Sequence, residues 1–392
     1  MIDTIVLTLS KDMYQITHPE MFTPSAHWIM LNKPIAGIIS KQNPTKKELK
    51  AGIYKPHLTI SHRFNAALVY EPMLKIELSL PKLLFGNNFN ELQYKDFDAV
   101  ANKLMTVLQD MDVIISLDAL IYAPVSTVHY AKNIPFTDGS IPFHYINKIK
   151  ESNVKLSLDV NQTDYRNDGH CYKWHCNSYE VVFYDKLKDL QAAKKSSKRA
   201  LEKDSELQFT MLETINQALL KKSFPLRLAA SPRQDAQTRK INKLEVLRME
   251  VRLNKRAKMK QLFKKLDIKT DLTFKKLFKP AISKKVLLHY LDELENNRSD
   301  LLNFTPSNDR SLLTALVINN PELSPQQIFK IFGFKKALEF APMRELQAMF
   351  SGTGARSWSR LVHDIGKVKV ARKSNCFTVF RECLEKFKML KL

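Results

Sequence analysis

Residues 247–253 read Leu-Arg-Met-Glu-Val-Arg-Leu, an apolar–polar alternation without a break. A strand sends successive side chains to opposite faces. Leu247, Met249, Val251 and Leu253 therefore point one way, and Arg248, Glu250 and Arg252 the other. The first row belongs to a core. The second is a carboxylate between two guanidiniums, a natural seat for a metal ion and a phosphate. A second run, residues 179–186, reads Tyr-Glu-Val-Val-Phe-Tyr-Asp-Lys. Its β-branched and aromatic residues also suit a strand. Glu180, Val182, Tyr184 and Lys186 line one face there, with Val181 and Phe183 on the other. A phenol and an ammonium then stand side by side where the strand gives way to a basic, helix-like segment.

Outward from these runs, residues 2–9, 53–62 and 74–80 read as further strands. In the last of these, Leu74, Ile76, Leu78 and Leu80 alternate with Lys75, Glu77 and Ser79, and Pro81 ends the run. Residues 94–108 have helical spacing, with Phe97, Val100, Ala101, Leu104 and Leu108 on one face. Residues 113–123 alternate again and are expected to be β, with Ser116 and Asp118 on the polar side. A connection through Pro135 and Pro142 leads to short strands at 156–160 and 170–176. After Lys186 the chain turns helical and basic, with Lys194, Lys195, Lys198 and Arg199 close together. Residues 207–220 read as another helix and 223–239 as a loop. Past the 247–253 strand the β signal fades. Residues 256–266 put Met259, Leu262, Phe263 and Leu266 on one face and lysines elsewhere. Ser324-Pro325-Gln326-Gln327 is a capping-box start, and Gly333 is expected to close that helix. The expectation is an α+β chain. A domain with a mixed or antiparallel sheet fills residues 1–265, and an α-helical C-terminal domain, a candidate for DNA contact, fills 266–392.

The 392 residues suffice for two or three domains. Lys and Arg number 62 against 40 Asp and Glu, a net charge of +22 that implies a polyanionic partner. A merely solvated basic surface, or contact with a ribosome or a membrane, satisfies the same charge. Four cysteines in a chain this long do not make a disulfide scaffold, which fits a reducing cytoplasm. No run of about 18 uncharged apolar residues is present, so no membrane span is expected. Residues 1–9 carry an early acid and no basic n-region, so they read as a strand rather than a signal peptide.

Three strand-like runs each place one acid opposite an apolar row: Glu77, Asp118 and Glu250. Such acids are usually the solvent side of a half-buried sheet. Gathered on one face, they could hold Mg²⁺ or Mn²⁺, hard ions that prefer oxygen ligands and that assist phosphodiester cleavage. Tyr184 is the candidate nucleophile. A free phenol has a pKa near 10 and needs help at neutral pH, from Lys186 or from the metal. A tyrosyl ester with the DNA phosphate keeps the bond energy, so the strand can be rejoined without ATP. His57 and His62 fall on opposite faces of a regular strand, and no His-x-His pair occurs. His170, Cys171, His175 and Cys176 lie close together without a standard zinc spacing. Gly352-Thr353-Gly354 is not a phosphate-binding P-loop, because no Gly-Lys-Ser/Thr follows.

The order of these blocks resembles the filamentous-phage replication initiators, the gene II/X protein family of rolling-circle endonucleases. Residues 1–9 are similar to that family's first strand. Residues 74–88, Leu-Lys-Ile-Glu-Leu-Ser-Leu-Pro-Lys-Leu-Leu-Phe-Gly-Asn-Asn, are similar to an acidic strand and the turn after it. Residues 115–119 and 247–253 resemble two more acidic strands, and 181–186 the strand that presents the nicking tyrosine. The resemblance covers roughly residues 1–265 in scattered blocks. It implies a Rep-type nuclease domain and a site-specific nickase acting on a double-stranded replication origin. Such an enzyme leaves a 3′-hydroxyl for the polymerase and later closes the displaced single strand. By this carry-over Tyr184 is the nucleophile, with Tyr172 and Tyr179 as alternatives, and Lys186 assists. Glu77, Asp118 and Glu250 hold Mg²⁺ or Mn²⁺. The implied partners are origin DNA, the displaced strand and the host replication helicase and polymerase, in the cytoplasm of a bacterial host. The lysine-rich runs, including Lys255, Arg256, Lys258 and Lys260, are expected to contact DNA with Arg248 and Arg252. A non-catalytic DNA- or RNA-binding protein with the same sheet is the rival expectation.

Overall fold

The computed structural model describes residues 1–30, 37–64, 68–136, 140–150, 170–175, 177–189, 245–296, 301, 308–341, 343–350, 355–370 and 377–390. Among the described residues, eight strands form one sheet: β1 (Ile2–Leu9), β3 (Ile39–Gln42), β4 (His57–Phe64), β5 (Tyr70–Ser79), β7 (Val125–Phe136), β8 (Cys171–His175), β9 (Tyr179–Asp185) and β10 (Glu245–Leu253). Their order is β3-β4-β5-β1-β7-β10-β9-β8, and every pairing is antiparallel. Two short strands, β2 (Gln15–Ile16) and β6 (Val113–Ile114), pair separately. The chain is thus α+β, with a large antiparallel sheet and many helices. Among the described residues no helix is long and apolar enough to cross a membrane.

The apolar rows of β1, β5, β7, β9 and β10 make one core. Leu247, Met249, Val251 and Leu253 are fully buried in it, as their alternation requires. The helices Phe97–Gln109, Pro280–Asn296 and Thr378–Lys386 contribute to the same core through Leu104, Leu291 and Phe380. A second core gathers Leu312, Leu316, Ile331, Phe334, Leu346 and Ile365. The hydrophobic division therefore does not fall at residue 265. The first core runs on through Leu294 and takes up Phe377, Phe380 and Leu384, while the second draws on residues 301–370.

Irregularities where β1 meets β7 shape the sheet. In β1, Ile2 faces Tyr130 and Ile5 faces Val128, so three steps on one strand match two on the other. This bulge keeps both isoleucines in the core and releases Asp3 to the opposite face. In β7, pairing with β1 ends at Tyr130 and Met1 covers Ala131 through two backbone bonds, leaving an open edge beyond Ala131. Glu91 fills that edge. One carboxylate oxygen accepts the Asn133 N–H at 2.6 Å, and the other accepts Lys132 Nζ at 2.5 Å and the Leu390 N–H at 2.8 Å. The same open edge tolerates Pro135, which has no N–H to offer a neighbour.

The strand expected at 2–9 is β1 and that at 247–253 lies within β10; those at 74–80, 170–176 and 179–186 are found as β5, β8 and β9, residue 176 lying outside the described residues, and that at 53–62 begins only at His57, as β4. The strand expected over 113–123 is β only at Val113–Ile114. Residues Leu117–Ile121 are a helix, capped by Ser116, whose hydroxyl accepts the Ala119 N–H at 3.2 Å. A local cap has overridden the alternation. The long strand lies just after it, at β7, where the prolines suggested a connection. Residues 256–265 are helical with Met259, Leu262 and Phe263 buried, as expected. The capping box at Ser324 is formed, but Gly333 does not end its helix, which continues to Phe340. The expected elements at 156–160, 207–220 and 223–239 lie outside the described residues.

Lys132 and Glu91 are a buried ion pair, and breaking one partner leaves the other charge stranded. Glu91→Ala is expected to cost about 3–5 kcal/mol in urea unfolding. Glu91→Leu with Lys132→Met is expected to recover part of this, since Asn133 and Leu390 keep orphan N–H groups. A single variant no less stable than an exposed surface substitution would contradict this role.

Candidate functional site

The polar face of β7, β10 and β9 is assembled by register. Tyr184 lies opposite Arg248, Val182 opposite Glu250, and Glu180 opposite Arg252. On the other side, Asn133 faces Arg248, Ala131 faces Glu250, and His129 faces Arg252. The alternation in 247–253 thus projects one carboxylate and two guanidiniums into a patch shared by three strands.

Arg248 is the most enclosed of these groups, at 2% exposure. Its Nη2 donates to Asp3 Oδ1 at 2.6 Å, and its Nη1 donates to the Asn88 carbonyl at 2.9 Å and to Asn133 Oδ1 at 3.1 Å. Glu250 accepts Arg252 Nε at 2.9 Å, lies 3.5 Å from His129 Nδ1 and from the Tyr184 hydroxyl, and 4.0 Å from Arg248 Nε. Burial alone would push its carboxyl up. The His129 contact and the Arg252 and Arg248 guanidiniums outweigh that and hold it well below the usual carboxylate range. Arg252 also reaches Glu180 at 3.2 Å and is partly exposed, so the patch meets solvent at this end.

Lys186 opens a helical turn over residues 186–189 directly after β9. Asp185 caps that turn, its Oδ1 accepting the N–H groups of Leu187 at 3.0 Å and Lys188 at 2.9 Å. The Lys186 ammonium is fully buried. It donates to Asn88 Oδ1 at 2.9 Å, lies 3.6 Å from Asp189, and sits 5.5 Å from the Tyr184 ring centre. Burial, reinforced by the Arg248 cation, lowers its pKa to about 8. The Tyr184 phenol is buried too, and burial pushes its pKa well above 10 despite Arg248 nearby.

Tyr184, Lys186, Arg248, Glu250 and Arg252 are therefore brought together as the sequence implied. Glu77 is not with them. It shares the sheet face, but β5 and β10 are separated by β1 and β7, and its row meets β10 beside Asn254 rather than Glu250. At ordinary strand and residue spacings that is a separation on the order of 20 Å. Asp118 is exposed in the first turn of the helix Leu117–Ile121, not on a strand. Lys255, Arg256 and Lys260 are exposed at and after the start of the helix that follows β10. Lys258 lies over the Tyr179 ring at 4.4 Å. Lys194, Lys195, Lys198 and Arg199 lie outside the described residues. Of the alternative nucleophiles, Tyr172 and Tyr179 are both buried in the core.

Among the described residues, no group of three or more His, Cys, Asp and Glu side chains could hold a metal ion. The expected Mg²⁺ or Mn²⁺ ligands do not fit as a set: Glu77 is remote from Glu250, Asp118 is on a helix rather than a strand, and Glu250 is engaged by Arg252. His57 bonds to Asn43, and His62 stacks between Trp28 and Tyr70. Sequence reasoning missed Asp3, Asn88, His129, Asn133 and Glu180. Only Glu180 carried a signal, being on the Tyr184 face of its strand. Compared with protein-family models, curated proteins and solved structures, the chain matches none.

The Lys186 shift has a sign that can be read. Below about pH 8 both folded and unfolded chains carry this proton, and the cost of burying the charge is fully present. As pH rises from there toward about 10.4, only the folded form releases it and the cost declines. Lys186→Met is therefore expected to gain stability over the wild type at pH 7, by up to about 3 kcal/mol, and to lose that advantage by about pH 10. Urea unfolding at several pH values measures the gap; parallel curves would contradict the assignment.

Proposed function

We propose that this chain binds DNA, and that it does so as a rolling-circle replication initiator which transfers one strand to Tyr184. The observation that carries the reading is the convergence of Tyr184, Glu250, Arg248 and Lys186 from β9, β10 and the turn after β9. The net charge of +22 supports a polyanionic partner. The order of strand blocks supports the Rep-type nuclease domain, with origin DNA, the displaced strand and the host helicase and polymerase as partners.

In the transfer step the Tyr184 oxygen attacks phosphorus. The O–P bond to tyrosine forms and the P–O3′ bond breaks. The phenolic proton is lost and the departing 3′ oxygen takes up a proton to become a hydroxyl. Rejoining is the reverse. Arg248 and Lys186 supply positive potential beside the phenol. Glu250, held anionic and weakly basic, orients the hydroxyl rather than removing its proton. Because the acids do not gather, no step is routed through a divalent ion. The phenol is buried in the free chain, so this step requires that DNA binding uncover it.

A second reading is a DNA-binding protein without catalysis. The burial of the phenol and the dispersal of Glu77, Asp118 and Glu250 favour it. The two readings separate on the supercoiled replicon that encodes the chain. The wild type is expected to nick it and to leave a protein–DNA adduct stable in detergent. Tyr184→Phe is expected to bind within about threefold of the wild type and to form no adduct, since it loses only one weak buried contact. An adduct with the Phe variant moves the nucleophile elsewhere. Binding by the wild type with no nick and no adduct establishes the second reading.

A further inference from the structure

We propose that the cleft between the helix Arg256–Lys265 and residues 268–273 is a docking site for the phosphodiester backbone of a nucleic-acid strand. The proposal deepens the DNA-binding reading and rests on it. The cleft has a volume of about 420 Å³ and is lined by Arg256, Lys260, Lys264 and Lys269 above a floor that includes Phe263 and Leu272. The floor is fixed. Phe263 and Leu272 belong to the main core, the Leu272 carbonyl accepts the Val125 N–H at 2.9 Å, and the Phe263 carbonyl accepts the Ile268 N–H at 2.8 Å.

Charge along this helix is divided by side. Lys265 is paired with Glu293 at 3.3 Å, and Lys258 is held over the Tyr179 ring. On the cleft side, Arg256, Lys260, Lys264 and Lys269 are exposed and make no ion pair among the described residues. The one acid lining the cleft, Asp271, is engaged by Lys276. Arg256, Lys260 and Lys264 recur every fourth residue, so they form a rail with a step of about 6 Å. Like charges at this spacing repel and destabilise a helix. The first turn makes matters worse, since it is basic, contains no acid and sits at the positive end of the helix dipole. A bound row of phosphates removes both costs. One phosphate would need one cation group; a rail of regularly spaced cations suits a backbone that repeats. Lysine acts here as a point charge and reads no bases.

The test compares two triple variants that remove equal charge. Lys260→Gln/Lys264→Gln/Lys269→Gln empties the cleft, and Lys11→Gln/Lys95→Gln/Lys103→Gln removes exposed cations elsewhere. Binding of a labelled duplex, the matching single strand and polyglutamate is titrated at several salt concentrations. The cleft variant is expected to bind DNA at least about tenfold more weakly and to flatten the log K against log salt slope by about 2–3, with the control variant near wild type. Its thermal midpoint is expected to equal or exceed that of the wild type, because repulsion is relieved. Equal losses in both variants would reduce the effect to bulk charge and overturn the site. Wild-type binding of DNA with an unaffected cleft variant would overturn the cleft and leave the DNA-binding reading standing. A wild type that binds polyglutamate through the cleft and no DNA would overturn both.

Discussion

A guanidinium cannot be taken out of water without partners for its charge and its donors. Arg248, on an interior strand of the sheet, is under that constraint, and much of the surrounding structure answers it. The bulge in β1 turns Asp3 toward it. The open edge of β7 brings Asn133 within reach. The segment after the helix Leu80–Phe85 comes close enough to offer the Asn88 carbonyl. Once that segment is in place, the Asn88 side chain is positioned for Lys186. One buried cation thus links the first strand, the middle of the sheet and the turn that follows Tyr184.

The consequence is a division among the many cations of the chain. Arg248, Lys132 and Lys186 are inside, each matched to a carboxylate or amide. Their charge sets local potentials and pKa values but is not available to a large polyanion. Arg252 lies at the boundary, shared by Glu250 and Glu180. The outward cations begin one turn later, on the helix that β10 feeds. A polyanion bound there would not compete for the buried ion pairs.

Some of this was legible in the sequence. The alternation in 247–253 and the strand at 179–185 could be read because a half-polar interior strand has a strict period of two. Their pairing put Tyr184, Lys186, Arg248 and Glu250 together. The Glu77 face was also readable, but its lateral position depends on strand order, and β1 and β7 intervene. Asp118 was misplaced because Ser116 caps a helix within an apparent alternation. The strand β7 was hidden by Pro135, which is tolerated because β1 no longer pairs with β7 at that position and no neighbour needs its missing N–H. The contact between Asp3 and Arg248 spans 245 positions and follows from a bulge that has no sequence signature.

Inner and outer cations differ in what can reach them, and lysine footprinting separates the two. The folded chain would be acetylated briefly with and without duplex DNA, and each lysine's rate read by mass spectrometry. DNA is expected to protect Lys260, Lys264 and Lys269 and to leave Lys95 and Lys103 reactive, while Lys132 and Lys186 stay unmodified in both states. Protection spread evenly over the exposed lysines, or rapid modification of Lys186 in the free chain, would contradict this separation.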